Sequence, residues 1–357
     1  MTYDNSRRLP DFDLIRFIAI VMVVMIHCCS LTFQFGAENP TTVVTTSVVR
    51  VLCSLAVPFF LMISGRFLLR KQEPLDVFFR KRFRVIGISG LFWTLAYCVV
   101  QLHAGKTGVT LLKNALNGGT EYHLWFLYLI VGLYLLTPVL REFVAKIRLS
   151  RSMLAYFIGL LLVYAGCNLM NFYRAPQWGI ATDNLFPFAF FPAVFLLGYQ
   201  LAEREFSPRI IRLVWAVLGV SLLWMTVGTL DCYWREGKLV SFYYSIGCLP
   251  TLAAIIGAYI LMDHYGAAIR EFLQPVAGAC RTLGEISFGI YLIHPIFLRV
   301  VGKALFRHQY ADYSVFLVLP ALCGFTVILS GIAVWVIGRI PYLRATVGIE
   351  RHDRNAG

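Results

Sequence analysis

An arginine and a histidine lie inside one apolar run, Arg16 and His27 in DFDLIRFIAIVMVVMIHCCSLTF. Ionisable groups within a membrane-length segment are costly and mark function. On a helix, eleven residues at about 100° each end about 20° past three full turns. The two side chains therefore share a face and stand about 16 Å apart along the axis. An imidazole can take and return a proton near neutral pH, and a guanidinium binds carboxylates and phosphates through a planar fork. The pair points to chemistry that reaches from one membrane surface past the bilayer middle.

Further candidates follow along the chain. Arg80, Lys81, Arg82 and Arg84 form a basic run after the second apolar segment. It reads as ordinary cytoplasmic charge in contact with anionic lipid, or as a clamp for phosphates. Ser64 and Gly65 just before it read as close helix packing, with Ser64 lining a polar site as the alternative. In EYHLWFLYLIVGLYLLTPVLR, His123 is flanked by Glu121, and Tyr122, Trp125 and Tyr128 fit an interfacial aromatic belt. In GEISFGIYLIHPIFLRV, Pro295 frees a backbone carbonyl one turn earlier, which His294 or a water can satisfy. His294 as the lining of a substrate tunnel is the other reading. Arg50, also inside a segment, requires an acidic partner, a carbonyl cage or a cavity. His103, His264, His308 and His352 fall in connecting segments and read as solvated surface. The nine cysteines show no CxxC and no metal-ligand spacing, so they read as small buried hydrophobes. No three-ligand zinc set is visible, and no metal is expected.

These residues need long helices to hold them. Of the 357 residues 59% are hydrophobic and 14% charged, against about 25% charged in soluble domains. The expected fold class is an all-α polytopic membrane bundle. Ten segments are long and apolar enough to span at about 20 residues each: 13–33, 45–65, 84–103, 122–140, 153–171, 185–202, 211–230, 240–262, 286–305 and 315–337. Pro187 and Pro192 in the sixth and Pro295 in the ninth are tolerated where neighbours satisfy the freed backbone. A net charge of +13 raises nucleic acid as a partner, but its placement argues for a membrane. Of the 32 Lys and Arg, 22 fall on one set of alternating connections and the N-terminal segment, eight on the other set, and Arg16 and Arg50 inside spans. The bias of basic residues toward the cytoplasm then places both termini there. The first segment reads as a span rather than a cleaved signal. With no linker or soluble appendage evident, one membrane domain is expected over residues 1–357.

Taken in order, the motifs resemble the integral-membrane acyltransferase family 3, which O-acylates cell-envelope glycans. The matches are Asp13-x-x-Arg16 with His27, Phe59-Phe60 with Ser64-Gly65 and the basic run after them, His123-Leu-Trp-Phe-Leu, Phe195-Leu-Leu-Gly198-Tyr199, and Ser287-Phe-Gly-Ile-Tyr-Leu-Ile-His294-Pro295. The family's Arg, ten residues, then His falls on Arg16 and His27. Its Arg-x-x-Arg is met here only by Lys81-Arg82-Phe83-Arg84.

The resemblance implies acetyl-CoA as donor in the cytoplasm, held by Arg80, Lys81, Arg82, Arg84 and Ser64. It implies a glycan or lipid-linked glycan acceptor on the far side of a bacterial inner membrane, such as enterobacterial common antigen, O-antigen or exopolysaccharide. His27 would be the general base, with Arg16 and His123 as further catalytic groups and Glu121, Trp125 and His294 near the acceptor. Membrane lipids are the other expected partner, nucleic acid is not one, and small and aromatic residues on lipid faces leave a homo-oligomer open. The competing reading is a transporter or flippase for a lipid-linked sugar, because polar residues and prolines within spans serve transport too.

Overall fold

The computed structural model describes residues 10–146, 151–178, 187–202, 204–237, 239–306 and 314–349. Several basic residues used in the charge count, including Arg7, Arg8, Arg148, Arg307, Arg351 and Arg354, lie outside them, as do His308 and His352. The described residues form helices and no strand: α1 (Pro10–Gly36), α2 (Pro40–Cys53), α3 (Ala56–Arg70), α4 (Leu75–His103), α5 (Gly108–Leu116), α6 (Trp125–Lys146), α7 (Arg151–Trp178), α8 (Pro187–Leu201), α9 (Pro208–Glu236), α10 (Leu249–Leu273), α11 (Ala277–Leu305) and α12 (Val315–Arg339). The fold is an all-α polytopic membrane bundle. Eight described stretches are long and apolar enough to cross a bilayer, one of which, Ser241–Leu305, holds both α10 and α11. Helix α8 is apolar but shorter.

The expected second span, 45–65, is two helices rather than one. Pro58 has no N–H to give the Ser54 carbonyl four residues earlier, so the ladder breaks there. The Ser54 hydroxyl turns back to the Val51 carbonyl at 2.7 Å. Helix α2 packs on α1 and α9, while α3 packs on α8 and α1.

Helix α1 lies at the centre, against α11, α2, α12 and α3. Two glycines of α11 let it approach. A Cβ on Gly284 would stand 2.7 Å from the Asp13 Cβ, and one on Gly302 would stand 2.7 Å from a Leu31 methyl. The same offset in residue number at both contacts means that α1 and α11 run side by side in one direction. The contacts are eighteen residues apart, about 27 Å at helical rise, close to the thickness of a bilayer core. A tighter crossing joins α3 to α8. A Cβ on Gly65 would fall 1.8 Å from the Phe195 carbonyl oxygen, and one on Gly198 would fall 2.1 Å from that of Met62. The Tyr259 hydroxyl of α10 caps this crossing by donating to the Gly198 carbonyl at 2.8 Å.

Candidate active site

Three histidines from separate elements meet beside the C-terminal halves of α1 and α11. The His294 ring centre lies 5.5 Å from that of His27 and 5.0 Å from that of His123. Tyr122 covers the other side of His27, with ring centres 4.3 Å apart. His294 is wholly buried and His123 is 2% exposed, while His27 is half-buried. His27 lines a cavity of about 660 Å³ together with Ser30, Gln34, Tyr122, Arg299 and Lys303 and the apolar Leu31, Phe35, Leu298 and Phe306.

Pro295 explains the His294 rotamer. It cannot donate to the Tyr291 carbonyl, and His294 Nδ1 lies 2.7 Å from that oxygen. His294 Nε2 is buried with no hydrogen-bond partner. The 117–124 segment that carries His123 is tied down from two sides. The Tyr291 hydroxyl donates to the His123 carbonyl, Arg299 of α11 pairs with Glu121, and Gln101 of α4 donates to the Thr120 carbonyl. Burial is the main cause holding the His123 imidazole well below its usual pKa, and the neighbouring His294 and His27 rings act the same way. His123 is therefore neutral at pH 7.

Arg50 finds no carboxylate among the described residues. One guanidinium nitrogen donates to the Ser30 hydroxyl at 2.6 Å, that hydroxyl donates to the Ile26 carbonyl at 3.0 Å, and the guanidinium lies 5.2 Å from the Tyr244 ring centre. A cation without a counter-ion thus sits one hydroxyl away from the cavity wall, since Ser30 lines it.

A second polar group lies at the other end of α1. Arg16 is 3.4 Å from Asp13. Arg66 pairs with Asp263 and lies 5.2 Å from the Phe12 ring centre. Nearby, the Glu73 carboxylate, only 6% exposed, gathers Arg82 at 3.3 Å, Arg141 at 3.4 Å, Lys71 at 3.7 Å and Lys81 at 3.8 Å. Arg141 also donates to the Leu68 carbonyl at 2.8 Å. Arg82 and Arg141 flank the Phe78 ring at 5.2 and 4.6 Å. Tyr134 lies within electrostatic reach of both Arg82 and Arg16, which links the two parts of this end. Four cations on one carboxylate leave surplus positive charge beside the start of α4, an arrangement suited to phosphate oxygens.

The structure thus brings His27, His123, His294 and, through Arg299, Glu121 to one site. It divides the basic run: Lys81 and Arg82 join Glu73, whereas Arg80 is exposed and pairs with Asp76 at 3.8 Å, and Arg84 is exposed. Ser64 lies one turn before Leu68 on α3, beside the Gly65 crossing. Trp125 begins α6, is exposed, and does not line the cavity. Sequence reading missed Glu73 as the hub and Arg299 as the partner of Glu121. Those partners are distant in sequence and carry no local spacing. The Tyr291–His294–Pro295 contact was legible, because proline fixes which carbonyl is freed.

A family model described as an acyltransferase domain, that of acyltransferase family 3, matches residues 9–335. Among curated proteins, the chain is similar to an "Amino-acid racemase" of Enterococcus faecalis, 36% identical over 326 residues, which are 83% of this chain and 42% of the relative. It is also similar to a "Serine/alanine racemase" of Enterococcus gallinarum, 31% identical over 304 residues, which are 79% of this chain and 40% of the relative. The chain therefore spans about two fifths of the length of these relatives. No solved structure matches it.

Proposed function

The chain belongs to acyltransferase family 3, and from that premise we propose that it transfers an acetyl group from cytoplasmic acetyl-CoA to a hydroxyl of a cell-envelope glycan or its lipid-linked precursor in a bacterial inner membrane. The observation that supports this most is the meeting of His27, His123 and His294 beside a cavity, about 16 Å along α1 from Arg16. In this reading the Arg16 end faces the cytoplasm, in keeping with the bias of basic residues.

Lys81, Arg82 and Arg141 would hold the nucleotide phosphates, with Arg80 and Arg84 at the rim. Glu73 would keep the cationic group assembled before donor arrives. The pantetheine arm, about 20 Å long, would pass Ser64 and Arg16 and bring the thioester toward His27. There the acceptor hydroxyl gives its proton to His27 while its oxygen attacks the thioester carbonyl. The C–S bond then breaks, and the CoA thiolate takes the proton back from His27. Arg50 would offset the negative charge that develops on the carbonyl oxygen. Glu121, through Arg299, would hold the 117–124 segment in place so that His123 meets the acceptor.

The test uses membranes carrying the wild-type protein or His27→Ala, supplied with acetyl-CoA labelled in the acetyl group. Incorporation into glycan should fall below about a tenth of wild type, since loss of a general base typically costs about a hundredfold or more. Retention above that level removes His27 from the proton transfer.

A further inference from the structure

We propose that His294 is a positioning residue for His27: its Nε2 accepts the His27 ring N–H, directly or through one water, and so fixes which His27 nitrogen faces the cavity. This rests on the general-base reading of His27. A carbonyl oxygen can only accept, so the 2.7 Å contact with Tyr291 puts the His294 proton on Nδ1 and leaves Nε2 a bare acceptor. That nitrogen is fully buried and has no partner, a state that calls for a donor.

Several neighbouring donors already have acceptors. The Tyr291 hydroxyl serves the His123 carbonyl, the Tyr97 hydroxyl serves the Leu292 carbonyl at 2.8 Å, Arg299 serves Glu121, and Arg50 serves Ser30. Both ring nitrogens of His123 also lack a hydrogen-bond partner, and its ring centre is 5.0 Å from that of His294. His27 and His123 therefore remain, and of the two His27 is the one that lines the cavity. Two imidazoles joined by an N–H···N bond near 2.9 Å have ring centres about 5 Å apart. The 5.5 Å between His27 and His294 is closed by a small ring rotation or bridged by water.

The consequence is chemical. A neutral imidazole has one N–H and one lone pair. If the N–H of His27 is given to His294, the lone pair points to the cavity and can take the hydroxyl proton. In the opposite tautomer the cavity meets an N–H, which is no base. His294 then does with a neutral ring what a third, orienting group does in other nucleophile–base–orienter sites.

The experiment uses full-length protein in lipid nanodiscs with ¹⁵N-labelled histidine, and His27 signals are assigned by comparison with His27→Ala. In wild type, His27 should show a single neutral tautomer and His294 the Nδ1–H form. His294→Asn keeps a donor for the Tyr291 carbonyl but removes the Nε2 acceptor. It should give a mixture of His27 tautomers, and kcat for acetyl transfer should fall by about tenfold or more, with KM for acetyl-CoA unchanged. His294→Gln, which places an acceptor near the Nε2 position, should restore the single tautomer and part of kcat. A mixed His27 tautomer in wild type, an Nε2–H His294, or a His27 signal unmoved in His294→Asn would each overturn the proposal. The wild-type spectra decide it even where a variant does not fold. A wild-type protein with the expected tautomers and no acetyl transfer would sink the general-base reading and leave the His27–His294 contact standing.

Discussion

At the scale of single residues, the site is a set of polar groups whose needs are met unequally. Glu121 has Arg299 and Glu73 has four cations, but among the described residues Arg50 has only a hydroxyl and an aromatic face. A guanidinium inside a membrane bundle with no carboxylate among the described residues marks a candidate functional group. Arg50→Ala should lower acetyl transfer about a hundredfold, the usual effect of losing one oxyanion donor, while the protein still reaches the membrane. Activity within about threefold of wild type would assign Arg50 to packing. His123 gives a pH prediction. Unfolded, its imidazole binds a proton below about pH 6.5. Folded, burial and the two neighbouring histidines hold it neutral to lower pH. The unfolded state therefore gains protons first on acidification. Stability is intact above about pH 6.5 and falls below it, by up to about 1.4 kcal/mol per pH unit until the folded ring also protonates. The unfolding midpoint in detergent should drop between pH 7 and 5, and drop less in His123→Asn. An equal drop in both proteins would assign the acid sensitivity to other groups. At this scale the sequence marked candidate residues more clearly than what they touch. Arg16 and His27 announce themselves by sitting in an apolar run, whereas the partners of Arg50, Glu73 and Glu121 come from other helices and carry no periodic signal.

The elements position the site through close backbone approaches. The α3–α8 crossing depends on Gly65 and Gly198, each facing a carbonyl oxygen at a distance no Cβ can share. Gly65→Ala should cost about 1–3 kcal/mol or more, as overpacking does, and Gly198→Ala a similar amount. Thermal unfolding of the purified protein checks this, and an unchanged midpoint would mean the helices part freely. The sequence reading of Ser64-Gly65 as small-residue packing fits this crossing. The ten apolar segments fall largely on helix; residues 54, 55, 122–124, 202, 240 and 245–248 are turns or irregular backbone, and 185 and 186 lie outside the described residues. What hydropathy could not show was the break at Ser54 and Leu55, because both halves are equally apolar and only Pro58 marks the joint. Nor could it show that α1 and α11 run together, since two glycines 18 residues apart encode that contact.

Across the whole molecule, α1 joins two polar ends that differ in character. One gathers surplus cations around Glu73, and the other gathers three histidines, the Arg299–Glu121 pair and Arg50 around a cavity with partly apolar walls. That division suits a donor rich in phosphate at one surface and an acceptor with an apolar portion at the other. Membrane class was legible from composition alone. The spacing of Arg16 and His27 marks the two ends, and the run 80–84 marks part of the cationic group: Lys81 and Arg82 join Glu73, and Arg141 and Lys71 reach it from other segments. The measurement that tests the account most directly is mass spectrometry of envelope glycans from three strains: the gene deleted, restored as wild type, and restored as His27→Ala. The account predicts that sugars lose the mass of one acetyl group on deletion and regain it only with the wild-type gene. Glycans of unchanged mass in all three strains, with the polymer altered in amount or location, would contradict acetyl transfer and point to transport.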